Sequence, residues 1–103
     1  MKVRVTKRAR AQLRQTKDYI QTHFGLQTAS DFIQKVRRVY KLLISNPNMG
    51  PVEPLLDNRS VTYRSIVVNR LNKMVYYIHD DVIEIVAFWD TRREPKEQAG
   101  QVE

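Results

Sequence analysis

The densest chemistry in this 103-residue sequence lies in Phe88 to Pro95, reading FWDTRREP. A strongly apolar run ends there in Asp90, followed by Thr91, Arg92, Arg93, Glu94 and Pro95. Adjacent arginines at a strand end can present planar, multi-donor forks to phosphate or carboxylate, and Asp90 can orient one of them. The same residues would equally make a strand-end salt bridge. A second basic feature is the run Lys7, Arg8, Arg10, Arg14 and Lys17. It reads either as a solvated helix face or as an electrostatic docking surface for nucleic acid or an acidic partner. No aromatic residue interleaves with these charges, so stacking of single-stranded bases is not indicated.

Other chemistries lack their residues. The only glycines are Gly25, Gly50 and Gly100, so no glycine-rich loop can cradle a phosphate. His23 and His79 have no metal-ligand spacing, and the chain has no cysteine, which removes thiolate zinc sites, disulfides and a Cys nucleophile together. No metal and no cofactor is expected. Eighteen Lys and Arg against eleven Asp and Glu give +7, and a pI near 10.0. Such a field favours an anionic partner. No apolar run approaches the roughly 18 to 20 residues of a membrane helix, and the basic N-terminus has no apolar block behind it. The expected place is the cytosol, with no membrane partner.

Positioning these groups falls to a short list of elements. Lys2 to Val5 alternates and predicts a strand, and Thr6 then caps a helix carrying Ala9, Leu13, Ile20 and Phe24 at helical spacing. Gly25 ends it. A second helix bears the apolar stripe Ala29, Phe32, Ile33, Val36, Val39, Tyr40 and Leu43, with Thr28 and Asp31 resembling a capping box. Asn46-Pro47 ends that helix, and residues 47–58 read as loop. Val61 to Val68, Lys73 to His79 and Val82 to Trp89 predict three consecutive strands, antiparallel because their links are so short. The expected fold is α+β: an antiparallel sheet with an N-terminal strand and a two-helix hairpin on one face. Residues 1–97 form one expected domain, with 98–103 a frayed tail.

With the landmarks in place, the chain resembles the RelE/ParE toxin superfamily along nearly its whole length. The resemblance rests on Ala29, Phe32 and Val36, on Asn46-Pro47 with Gly50, on Tyr63-Arg64, on Tyr76 to Ile78, and on the closing Asp90-Thr91-Arg92-Arg93-Glu94-Pro95. That closing motif is more like ParE-type toxins than RelE-type ones. The resemblance implies the toxin of a bacterial type II toxin–antitoxin (plasmid-stabilising) system, neutralised by a cognate antitoxin in a hetero-oligomer. ParE-like members poison DNA gyrase without being enzymes; RelE-like members cleave messenger RNA in the ribosome, without a metal. As a ribonuclease the chain would use Arg64, Lys73 and Arg93 around the scissile phosphate, with Glu53 or Glu84 as base. Against this, Ile66 stands where RelE-like enzymes place a lysine, and no Tyr or His follows Pro95. As a binder it would meet its target through Arg64, Lys73, Asp90, Arg92 and Arg93, together with the helical hairpin.

Two placements follow. Arg64, Lys73 and Arg93 should point away from the helices, while Ile83, Ile85 and Ala87 face them. Phe88 and Trp89 are candidates for apolar surface left bare when the toxin is alone.

Overall fold

The computed structural model describes residues 1–92 and 102 of the chain. The elements run β1 (Lys2–Val5), α1 (Lys7–Phe24), α2 (Leu26–Ser45), a short 3-10 turn (Pro54–Leu56), β2 (Arg64–Asn69), β3 (Asn72–His79) and β4 (Val82–Asp90). Thr6 caps α1 as its type suggests, its hydroxyl accepting from the Ala9 N–H at 3.1 Å. Gly25 ends α1 at φ 94° and is itself the residue from which α2 starts. That tight junction places Thr28 inside the helix, where its hydroxyl donates to the Phe24 carbonyl at 3.1 Å. The expected capping box is therefore not formed.

The sheet order is β1-β4-β3-β2. The three later strands are antiparallel as their short links require, and the Asp80-Asp81 turn takes φ values of 47° and 64°. Two consecutive left-handed residues match the twist of a tight hairpin. β1 instead joins β4 in parallel, Lys2 opposite Val82 and Val5 opposite Ile85, so the sheet is mixed. Crossing the helical hairpin between β1 and the later strands makes that direction available.

The helices cover one face of the sheet. Phe32, Val36 and Leu43 of α2 pack with Ala9 and Ile20 of α1 on Met74, Tyr76, Ile83, Ile85 and Phe88. A smaller cluster forms on the opposite face from Leu56, Tyr63, Val75, Ala87, Trp89 and Val102. Ala87 thus departs from the expected helix side. The register explains it: Val75 faces Ala87 while Tyr76 faces Ile85, leaving Val86 as an extra residue in β4. Such a bulge breaks the two-residue alternation and turns every later side chain over. Ile83 and Ile85 precede it and face the helices as expected. Phe88 and Trp89 are 4% and 1% exposed, so neither is the expected bare surface. The exposed large apolar side chains include Phe24 at 64% and Leu26 at 68%, at the tip of the hairpin. Of residues 98–103 only Val102 is described, and it is buried.

Loop 46–53 is clamped to the sheet by Tyr76. Its buried hydroxyl donates to the Pro47 carbonyl at 2.7 Å and accepts from the Gly50 N–H at 3.1 Å. A Cβ on Gly50 would lie 2.9 Å from the Ser65 carbonyl oxygen and from the Tyr76 hydroxyl. Burial pushes the Tyr76 phenol up, against the opposing Gly50 N–H. Tyr76→Phe is expected to lower stability by about 1–3 kcal/mol, since it orphans a buried donor and a buried acceptor. Urea denaturation at neutral pH measures this, and an unchanged midpoint would remove the clamp from the account.

Candidate functional site

At the end of β4, Asp90 and Arg92 form a small charged corner. Asp90 accepts from the Arg92 backbone N–H at 2.8 Å and holds the guanidinium through Nε at 3.1 Å and Nη2 at 2.9 Å. This two-pronged grip fixes the plane of the fork while leaving the arginine side chain 54% exposed. The neighbouring Asp90 carboxylate holds the Arg92 guanidinium above its usual range, and Tyr19 adds to the effect. The turn opposite is shaped by Asn69, whose Oδ1 accepts from the Leu71 and Asn72 N–H groups at 3.0 and 2.9 Å. Thr91 N–H then donates to the Leu71 carbonyl at 2.8 Å, tying the strand end to that turn.

Between this corner and the tip half of the hairpin lies a cleft of about 560 Å³. Ile20, Phe24, Phe32 and Phe88 supply its apolar wall, and Asp31, Lys35, Asp90 and Arg92 its charged rim. Gln12 reaches across its floor, accepting from the Phe88 N–H at 2.9 Å. Apolar walls with a few convergent polar groups are the composition of a binding cleft. Asp90 and Arg92 are legible in the sequence as site residues, whereas Gln12 and Tyr19 are not. The signal that could have found Tyr19 was its place one turn before the helix-ending Phe24-Gly25.

The other expected site residues do not gather here. Antiparallel partners share a face, and Arg64 pairs with Tyr76 while Lys73 pairs with Val67. Tyr76 and Lys73 are three residues apart, so their side chains leave opposite faces. Arg64 accordingly emerges on the helix side, against expectation, and donates to the Gly50 carbonyl at 2.8 Å and the Asn48 carbonyl at 3.4 Å. Lys73 does point away from the helices. There it is bound to the buried carboxylate of Glu53 at 2.5 and 3.0 Å and lies 5.2 Å from the centre of the Trp89 ring. Glu53 also accepts from the Ser65 hydroxyl at 3.0 Å. Arg93 lies outside the described residues.

At the far end of the same face, Glu84 accepts from Arg4 Nη2 at 2.7 Å and lies 3.0 Å from His79 Nε2. Hydrogen bonding by Arg4 first, then by His79, holds the Glu84 carboxyl below its usual range although burial opposes this. A depressed folded-state pKa gives stability that is present above the unfolded value and lost as pH falls through the folded one. Glu84→Gln should therefore flatten the stability profile below about pH 4.3, the ordinary glutamate value. Thermal melts across an acid series would show it; parallel profiles would deny the group that role.

Among the described residues no group of three or more His, Cys, Asp or Glu could hold a metal ion, and no helix is long and apolar enough to cross a membrane. No curated protein matches the sequence. Among the solved structures that share the fold are the following two. One, described as the chromosomal ParDE TA system from P. aeruginosa, superimposes with a TM-score of 0.71 at 20% identity, over 87% of this chain and 95% of that one. The other, a YoeB dimer from Staphylococcus aureus, gives 0.59 at 19% identity, over 90% and 98%. The family of the ParE toxin of the type II toxin–antitoxin system, parDE, matches residues 3–95. With nearly the whole chain inside that match, and β1, the hairpin and the three-strand meander in its order, the chain belongs to the ParE toxin family of the RelE/ParE superfamily.

Proposed function

We propose that the chain inhibits growth by binding DNA gyrase, as a ParE-like toxin held in check by a cognate antitoxin, and does not cleave messenger RNA. The observation that carries this reading is the separation of Arg64 from Lys73. Metal-free cleavage of RNA needs cations converging on one crowded phosphate. Here the two side chains leave opposite faces of the sheet, one bound to the Gly50 carbonyl and the other to Glu53. The proposed target contact is the β4 corner, Asp90 with Arg92, and the adjoining cleft.

Titrating purified chain into a gyrase supercoiling reaction tests the proposal, beside primer extension on RNA from cells in which the chain is induced. Lost supercoiling with intact transcripts supports gyrase. Discrete cuts at codon positions with full supercoiling would establish the ribosome-dependent endonuclease instead.

A further inference from the structure

The charge of the molecule is segregated. Residues 7–45, the helical hairpin, hold nine of the eighteen Lys and Arg but only two of the eleven Asp and Glu, so the hairpin alone carries +7 and the rest of the chain sums to zero. The ion pairs of Arg4, Lys73, His79 and Arg92 with carboxylates lie outside it. Arg10 and Arg14 of α1 and Arg37, Arg38 and Lys41 of α2 are all exposed, and none joins an ion pair among the described residues. A fold whose helical hairpin carries the whole of the net charge concentrates its field there.

The surface also has a shape. Arg37, Arg38 and Lys41 line, with Gln34, a shallow cup of about 280 Å³ on α2. The α1 row stands on the neighbouring helix of the hairpin, whose Ala9, Leu13 and Ile20 pack in the same core as Phe32, Val36 and Tyr40 of α2. Packed helices stand roughly 8–10 Å apart, so the hairpin offers two neighbouring rows of cations, a layout suited to the paired phosphate backbones of a duplex. The aromatic side chain among these cations, Tyr40, is packed against the core rather than standing free for a single strand to stack upon. The hairpin also exposes Phe24 and Leu26 at its tip and Leu42 and Ile44 near the end of α2, so an anionic lipid surface is one of the outcomes tested below.

We propose that the outer face of the helical hairpin is a sequence-independent binding surface for duplex DNA, gripping backbone phosphates with Arg10, Arg14, Arg37, Arg38 and Lys41. It lies apart from the β4 corner and its cleft, and it stands whether or not gyrase is the target.

The test is fluorescence anisotropy of the purified full chain with a labelled 24-base-pair DNA duplex in two unrelated sequences. The parallel probes are single-stranded DNA, duplex RNA of equal length and anionic phosphatidylserine vesicles. Two double variants remove equal charge: Arg37→Gln with Arg38→Gln on the hairpin, and Lys2→Gln with Arg70→Gln off it. Expected is similar binding to both DNA sequences. The hairpin variant should weaken it roughly tenfold and lower the salt slope by about 1.8, while the off-hairpin variant changes affinity less than about twofold. Equal losses from the two variants would reduce the effect to net charge and overturn the proposal. Tighter binding of duplex RNA, single strands or vesicles than of duplex DNA would overturn it as well, as would no DNA binding at 0.1 M salt.

Discussion

Lys73→Met is expected to lower stability by about 3 kcal/mol, at the lower end of the range for removing one partner of a buried ion pair. That corresponds to a fall in Tm of roughly 10–20 °C for a domain of this size. Glu53 is 1% exposed, while the Lys73 side chain retains 20%. Loss of the lysine therefore strands a carboxylate with only the Ser65 hydroxyl for a partner. Loss of the acid, in Glu53→Gln, leaves an ammonium that can turn toward water and should cost distinctly less. The double variant should recover part of the loss, because an uncharged, packed pair does not carry the desolvation of an unmatched charge. Thermal melts of the three variants at neutral pH measure the order. A Glu53→Gln protein less stable than Lys73→Met would show the carboxylate to be the better solvated partner and sink the argument. The prediction also bears on function. If Lys73 served a reacting phosphate, a variant would lose activity at constant stability; here both are expected to fall together.

The same pair shows where sequence reading reached its limit. Periodicity and turn residues located each helix and strand, because those signals are local: Thr6 before an apolar stripe, Gly25 and Asn46-Pro47 after one, Asp80-Asp81 between two β-rich runs. Faces of the sheet are not local. Whether Arg64 and Lys73 share a side depends on the pairing of Arg64 with Tyr76, and one added residue, Val86, decides that Ala87 leaves the helix side. Neither fact is written in the spacing of either strand alone. Glu53 was legible as a loop acid and, through the resemblance, as a candidate base, but not as the partner of Lys73. That pairing arises because the segment between α2 and β2 folds back over the sheet and brings Glu53 to Lys73.

The site at the β4 end was more accessible to sequence because its members are neighbours in the chain. Asp90 and Arg92 are two residues apart, and the turn that joins them brings backbone and side chain to one carboxylate. What the sequence could not supply was the opposite wall of the cleft, drawn from α1 and α2 some seventy residues away. An apolar wall there needed Phe88 on the helix side, which again follows from the bulge.

Arg92→Ala is expected to raise the concentration of chain needed for half-inhibition of supercoiling roughly ten- to hundredfold, the scale on which one oriented arginine at an interface acts. Its melting temperature should barely move, because the Asp90–Arg92 pair is exposed to solvent, where ion pairs add little to folding. Arg92→Lys separates charge from geometry. Lysine keeps the charge but cannot present two parallel donors, so a residual loss of several-fold assigns the effect to the fixed fork. Asp90→Asn tests the same point from the other side, since it keeps the arginine and loosens its anchor. Inhibition curves and melts on the four proteins together give the answer. Full potency of Arg92→Ala would move the target contact elsewhere on the surface, and a collapsed melt would show the corner to be part of the scaffold.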